Sequence, residues 1–392
     1  MKALFAYDHI FVTDKNTVFS QLFTDKIWSR YLDVFDTLTI VGRSRILLPE
    51  DTKEAFNIAS GPRRSFVFVP NLASPVAMVK QRRKVKRILT QEISSVDAVI
   101  ARVPSITGSL AIQIASSLNK PWAVEVVGCA WDALWNYGTW QGKVYAPIST
   151  LRTRRILRKS SFAIYVSREF LQRRYPSSGH VAFASNVQIP ESDPAVLEQR
   201  LSRINLPRQR VIFGLTGSLK TKYKGIQTAL EAFANVRDKL PPFEFRMLGG
   251  GDAQPWQALA DSWGLADCVN FCGVVSAGQA VLDWLDEVDI YIQPSLQEGL
   301  PRALVEAMSR GLPAIGSTAG GIPELLQPDC THRPKDSQRL GELLVQYANN
   351  TEWQVTQAKR NFILAKEYSS DVLDAQRREF WQAFADYVYE QK

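Results

Sequence analysis

The chain has 392 residues, a length that suits two or three domains, and its 45% hydrophobic content can fill sizeable cores. Four cysteines and three histidines are too few for a disulfide framework and speak against a zinc site; no uncharged apolar run is long enough to span a bilayer. The net charge of +8 is divided unevenly: residues 1–190 carry 26 Lys+Arg against 13 Asp+Glu, and residues 191–392 carry 21 against 26.

In chain order, Met1 to Ala6 reads as a first core strand and not a targeting segment, because Asp8 falls where a signal peptide would still be apolar. Strands are predicted at Lys2–Ala6, Thr37–Val41, Phe66–Val69, Ala98–Ala101, Ala123–Val127 and Ala163–Val166, each followed by a helical stretch. A polar, proline-bearing break follows near residues 190–208. A second series then predicts strands at Val211–Thr216, Glu244–Leu248, Asn270–Cys272, Ile290–Gln293 and Ala314–Gly316. Strands separated by helices imply βαβ units, so the chain reads as α/β with two doubly wound, parallel-sheet, Rossmann-like domains. The tail, Asp371–Tyr389, has apolar residues at helical spacing (Leu373, Phe380, Phe384, Val388). The basic excess concentrates in Lys80–Arg87 and in Arg152, Arg154, Arg155, Arg158, Lys159, Arg173 and Arg174. Such clusters suit an anionic membrane surface or a polyanion as well as a solvated helix face. No nucleic-acid motif accompanies the charge, and the cysteine usage fits a reducing cytoplasm.

Two segments carry chemistry. Strand Val211–Thr216 runs into Gly217, Ser218 and the Tyr-Lys-Gly run at Tyr223–Gly225, with a helix beyond. Glycine permits a tight turn and close approach of a ligand, and Lys224 can act as a point charge on a diphosphate. The second segment is Glu298-Gly299-Leu300-Pro301, followed by Glu306. Proline suits the first helical position, so a helix is expected to start at Pro301 and end at Gly311. That places Gly299 and Leu300 at the positive end of the helix dipole, a ready anion site. Glu298 stands just outside the helix, where it can accept from hydroxyls, and Glu306 lies more than a turn inside, on the polar side.

The run Asp289 to Pro313, with Gly320-Gly321-Ile322-Pro323-Glu324 after it, resembles the donor-site signature of glycosyltransferase family 4, and weaker resemblance extends over most of residues 211–392. Members are retaining enzymes of the GT-B fold: two Rossmann-like domains face a cleft, and the last helix crosses back to the first domain. The resemblance implies an N-terminal acceptor-binding domain of residues 1–190 plus about 372–392. Residues 191–371 would then form a nucleotide-sugar domain. It implies that Glu298 holds the transferred sugar and that Gly299, Leu300 and Pro301 lie along the phosphates. Lys224, with Gly217 and Ser218, would meet the diphosphate, and Glu306 the ribose. Gly249, Gly273 and Val274 would border the nucleoside. The family pattern often has Arg where this chain has Ser218; Lys220, Lys222 and Arg302 are candidates for the second positive charge. No Asp-x-Asp motif is present, so the expected chemistry needs no metal and no cofactor beyond a nucleoside-diphosphate sugar as co-substrate.

On the acceptor side, Asp8 and His9 follow the first strand, and Glu125 and Asp132 flank a strand end where many relatives place a histidine. Trp131, Trp135, Tyr137 and Trp140 crowd into ten residues; they can stack on sugars, sit at a membrane interface or fill a core. The expected partners are a nucleotide sugar, a glycan or lipid-linked acceptor and an anionic membrane surface, with no nucleic acid. The expected place is the cytoplasm, or the inner face of the cytoplasmic membrane, in surface polysaccharide or lipopolysaccharide biosynthesis. Two other readings stay open: another enzyme on the same fold, such as a sugar-nucleotide epimerase or a phosphorylase, and a non-catalytic sugar-nucleotide-binding subunit.

Overall fold

Strands and helices alternate throughout the computed structural model, which describes residues 1–14, 17–48, 56–72, 74–136 and 139–391. The first sheet holds β1 (Lys2–Asp14), β2 (Thr17–Ser20), β3 (Thr37–Ile46), β4 (Asn57–Ile58), β5 (Arg64–Phe68), β6 (Ala98–Val103), β7 (Trp122–Val126), β8 (Phe162–Tyr165) and β9 (His180–Phe183). Its parallel body runs β5-β3-β1-β6-β7-β8-β9, and β2 and β4 extend it as short antiparallel strands beside the far end of β1. The second sheet is wholly parallel, in the order β12-β11-β10-β13-β14-β15. Its strands are β10 (Val211–Thr216), β11 (Phe243–Leu248), β12 (Val269–Phe271), β13 (Ile290–Gln293), β14 (Ala314–Ser317) and β15 (Thr331–His332).

Every strand expected from the apolar runs is present, with ends moved by a few residues. Two differences matter. The first strand does not stop at Ala6 but bulges between Ala6 and Ile10 and continues to Asp14, so Asp8 and His9 lie inside a strand and not in a loop beyond it. The bulge breaks the period-2 pattern, which hides the continuation from sequence. The short strands β2, β4, β9 and β15 carry too few residues to show a pattern.

Helices α1 (Asp25–Leu32), α2 (Pro75–Ser94), α3 (Ile106–Ser117), α4 (Ala130–Trp135), α5 (Trp140–Arg158) and α6 (Phe170–Arg174) belong to the first half. The strand order moves in one direction from β5 through β8, and right-handed crossovers then put α2, α3 and α5 on one face. Val85 and Leu89 pack there against Leu110 and Ala111, and Ile112 joins Ile156 and Leu157. The opposite face is covered by α1 and by α14 (Ser370–Glu390), the last helix of the chain. Trp381 meets Tyr31 edge-on at 5.1 Å, Phe384 meets Phe35 and Phe162, and Arg377 donates to the Ser185 carbonyl. The chain therefore crosses back to the first sheet at its end, as the family resemblance implies.

The break expected near 190–208 is not an irregular linker. Its centre is α7 (Pro194–Asn205), started by Asp193 and a proline in the first turn and held on the second half through buried Arg200, which donates to the carbonyls of Leu285 and Val288. The second sheet is flanked by α8 (Ile226–Val236), α9 (Gln254–Ser262), α10 (Gln279–Asp286), α11 (Arg302–Ser309), α12 (Ser337–Ala348) and α13 (Thr351–Ala365). No helix of the described residues is long and apolar enough to cross a membrane.

Candidate active site

In an open parallel sheet, ligands gather beyond the carboxyl ends of two neighbouring strands whose connections leave in opposite directions. In the second sheet that point lies between β10 and β13. The loop after β10 carries Gly217, Ser218 and Lys224, and the loop after β13 carries Glu298, Gly299 and Leu300. Sheet order alone thus brings the two sequence segments together.

Lys224 ends a short 3-10 turn, Lys222–Lys224, and its ammonium lies 2.7 Å from Glu298 Oε1. The same oxygen accepts from Ser295 Oγ at 2.7 Å and Gln293 Nε2 at 3.2 Å. Gln293 is oriented in turn by the Tyr291 hydroxyl, which donates to its Oε1 at 2.9 Å and accepts from the Thr216 amide at 3.3 Å. Among the described residues Oε2 of Glu298 has no hydrogen-bond partner, so one oxygen is fixed and the other is available. Tyr291, Gln293 and Ser295 recur at every second residue and so share one side of the strand and its extension. All three lie within the run Asp289 to Pro313 without being singled out by it; polar residues at period 2 in a buried strand are the signal for them.

Glycines set the close approaches. A Cβ on Gly217 would lie 2.9 Å from Lys224 Cγ, so this glycine makes room for the lysine stem. Gly225, at φ +74°, faces the Pro294 carbonyl, 1.9 Å from where a Cβ would be. Gly320, at φ +60°, and Gly321 fit against the carbonyls of Glu298 and Gly299, 2.1 and 2.6 Å from their absent Cβ atoms, and the Gly321 amide donates to Gly299 O at 2.8 Å. The Gly320-Gly321 turn therefore braces the peptide that presents Glu298.

The helix expected to start at Pro301 starts one residue later: Pro301 is the cap of α11, and Val305 N donates to its carbonyl. The N–H groups of Gly299 and Leu300 have no protein acceptor among the described residues, and they stand beside the positive end of α11. Glu306 sits half-buried and not on an open polar face; burial raises its carboxyl above the usual range, partly offset by the Arg302 charge. Gly217, Gly249 and Gly273 stack side by side: Gly217 N donates to Leu248 O and Gly249 N to Gly273 O. Ser218 Oγ reaches Gly250 O at 3.4 Å, and Val274 is 73% exposed over Gly250, an apolar border to this edge. Lys222, a candidate for the second positive charge, faces a different pocket, between the two halves of the chain.

The first half meets this site directly. A Cβ on Gly299 would lie 3.0 Å from the Val127 carbonyl, and the Glu324 carboxylate accepts the amides of Arg168 and Phe170 at 2.7 and 2.6 Å. The acceptor-side candidates fare differently. Glu125 faces the interior: β6 and β7 put Arg102 opposite Glu125, their ion pair is 2.6 Å long, and the Tyr31 hydroxyl donates to Glu125 at 2.6 Å. Burial opposes its ionisation, and the Arg102 charge prevails, lowering its pKa. Asp8 lies at the corresponding crevice of the first sheet, between β1 and β6, but its carboxylate is engaged. It accepts the Ile106 and Thr107 amides at 2.5 and 3.2 Å and the Thr107 hydroxyl, filling the N-terminus of α3. His9 bonds Ser20 Oγ at 2.8 Å between the rings of Phe11 and Phe23; burial, then the charges of Arg102 and Arg43, lower its pKa to about 4, so it is neutral at pH 7. Asp132 lies 3.9 Å from Arg174 on the side of α4. Trp131 and Trp135 stack at 5.1 Å, Trp140 is exposed, and Tyr137 falls outside the described residues.

Comparison with known proteins adds independent findings. Residues 210–350 match the family model described as glycosyl transferases group 1. Protein CapJ of Staphylococcus aureus is 32% identical over 345 residues, covering 88% of this chain and 85% of its own. The putative colanic acid biosynthesis glycosyltransferase WcaL of Escherichia coli (strain K12) is 27% identical over 196 residues, 42% of this chain and 47% of its own. Among solved structures, HepE of Anabaena in complex with UDP superposes with a TM-score of 0.61 at 14% identity over 100% of both chains, a likeness of fold.

Proposed function

The chain belongs to the glycosyl transferases of group 1 and has the GT-B fold, and we propose that it is a retaining, metal-independent transferase of family 4. It moves a sugar from a nucleoside diphosphate to a hydroxyl of a glycan or lipid-linked acceptor in surface polysaccharide biosynthesis. The observation that carries this reading is Glu298, with Oε1 fixed by Lys224, Ser295 and Gln293 and Oε2 unbonded, beside the unpartnered amides of Gly299 and Leu300. A carboxylate for sugar hydroxyls next to amides and an ammonium for phosphate is the pattern a sugar nucleotide needs. In the reaction the bond from the anomeric carbon to the phosphate oxygen breaks. The acceptor oxygen bonds to that carbon on the face the diphosphate leaves, and its proton passes to a phosphate oxygen. Lys224 and the helix-end amides stabilise the charge that develops on the leaving group, the role a metal serves in other sugar-nucleotide enzymes. Glu306 is the proposed ribose ligand, and the Gly249 and Gly273 loops the border of the base. The UDP in the HepE complex and the biosynthetic role in the name of WcaL favour a nucleotide-sugar donor and a polysaccharide product.

A membrane-bound acceptor is favoured by the outer face of α5. Trp140, Val144, Ile148 and Leu151 are 72, 61, 54 and 52% exposed, at a spacing that aligns them on one stripe, and exposed Arg154, Arg155 and Arg158 continue it. The reading places the protein on the inner face of the cytoplasmic membrane.

The test is release of nucleoside diphosphate from a panel of UDP-, GDP-, ADP-, CDP- and dTDP-sugars in EDTA. One donor should be consumed, and Glu298→Gln should slow it roughly 100-fold. Consumption that needs added metal, or that Glu298→Gln leaves unchanged, would sink the reading.

A further inference from the structure

A pocket of about 480 Å³ opens between the two halves, and neither Glu298 nor Lys224 lines it. Lys143 of α5, Lys222 of the 3-10 turn and Lys335 line it from three separate parts of the chain, with Glu231, Trp135 and Asn136. None of the three lysines is ion-paired among the described residues, and Glu231 is the one carboxylate among the residues that line the pocket. The first turn of α8 closes one wall, and no side chain caps that helix. Lys222 and Lys224 thus serve different places from a single turn: Lys224 is paired with Glu298 in the donor site, and Lys222 lines this second cavity. The two halves are tied at its edge, where Asn136 Nδ2 donates to Leu296 O at 3.3 Å, two residues from Glu298. Trp135 offers a 43% exposed indole, with Lys143 Nζ 5.8 Å from the ring centre.

We infer that this cavity is a second anion site, distinct from the donor diphosphate site, and that it holds the phosphate or diphosphate of the acceptor. The inference rests on the transferase reading above. Clustered lysines recognise a small multivalent anion as point charges, and a cavity of this size holds such a group with one sugar ring against Trp135, not a length of nucleic acid. Lys143 and the exposed stripe that begins at Trp140 lie on the same helix, so an acceptor whose phosphate enters the pocket would leave its apolar part beside α5.

The test is calorimetric titration with inorganic pyrophosphate. The wild-type protein should bind two equivalents, one in each site. The Lys143→Ala/Lys335→Ala variant should lose one, its affinity falling roughly tenfold or more, and Lys143→Arg/Lys335→Arg should keep it. Lys224→Ala should weaken only the other. If the wild type binds one equivalent and the Lys143→Ala/Lys335→Ala change abolishes it, the pocket stands and the donor reading fails. If that variant matches the wild type in number and affinity of sites, or the wild type binds no pyrophosphate, the inference is overturned. Competition by farnesyl diphosphate separates the sources of the anion: tighter binding than pyrophosphate indicates a lipid-linked acceptor, and equal binding a soluble phosphorylated one.

Discussion

The ammonium of Lys224 and the carboxylate of Glu298 meet at 2.7 Å although 74 positions separate them, because β10 and β13 are neighbours at the point where the strand order reverses. The pair is mostly buried, with 17 and 10% of the two side chains exposed. Lys224→Ala leaves Glu298 with Ser295 and Gln293 as donors, so the fold should survive with a loss on the order of 1–3 kcal/mol. Nucleoside-diphosphate affinity should fall roughly tenfold or more, because a charge-assisted contact to phosphate is lost. Denaturant unfolding and titration calorimetry on the same variant check both parts; unchanged affinity would remove Lys224 from the phosphate site.

Gly320 and Gly273 separate steric need from backbone need. Both lie at positive φ, +60° and +70°, but a Cβ on Gly320 would fall 2.1 Å from the Glu298 carbonyl, whereas nothing lies within 4 Å of one on Gly273. Gly273→Ala should cost only the left-handed backbone term, about 1–2 kcal/mol. Gly320→Ala should cost more and should also displace Glu298, so transfer falls with it. Equal losses of stability and activity in the two variants would contradict this role for the Gly320-Gly321 turn.

Glu306 should show opposing effects on stability and binding. Burial raises its pKa in the folded protein above the ordinary value of 4.5. The folded state therefore binds the proton more tightly than the unfolded chain, and the burial penalty grows as pH rises from 4.5 through the raised value. Glu306→Gln should be more stable than wild type at pH 7, with the gain fading as pH falls through the raised value toward 4.5 and absent below it, while nucleotide affinity drops. Unfolding midpoints across pH and one binding isotherm decide it; a variant less stable at pH 7 would show that the charged carboxylate has a stabilising partner.

The contrast between what was legible and what was not follows the range of the interactions. Strands Val211–Thr216 and Ile290–Gln293 are short apolar runs that polar or proline residues end, and sequence places them to the residue. Although it starts one residue later than expected and Glu306 is half-buried on it, the helix after Glu298 is legible because it is set locally by one loop and one proline. Roles that depend on a distant partner are not. Glu125 is consumed by Arg102 across a strand pair, and Asp8 by the amide end of a helix that starts at Ile106. Lys143, Lys222 and Lys335 share a pocket although no local pattern links them.

The stripe on α5 has a direct consequence in lipid. Trp140→Ser/Ile148→Ser removes two exposed apolar side chains, so the core should be untouched and the melting temperature unchanged. Binding to phosphatidylglycerol vesicles should weaken about tenfold or more, since burying each such side chain contributes on the order of 1.5–3 kcal/mol. Cosedimentation of variant and wild type to the same extent would assign the stripe to something other than a membrane.

The most direct measurement of the central claim is thermal unfolding with UDP, GDP, ADP, CDP and dTDP in EDTA, on wild type and Glu306→Ala. One nucleotide at about 100 times its Kd should stabilise the wild type by about 2.7 kcal/mol, and the variant by clearly less at the same concentration. Stabilisation by none of the five, or an equal shift in the variant, would contradict a nucleoside-diphosphate site built on Glu298, Lys224 and Glu306.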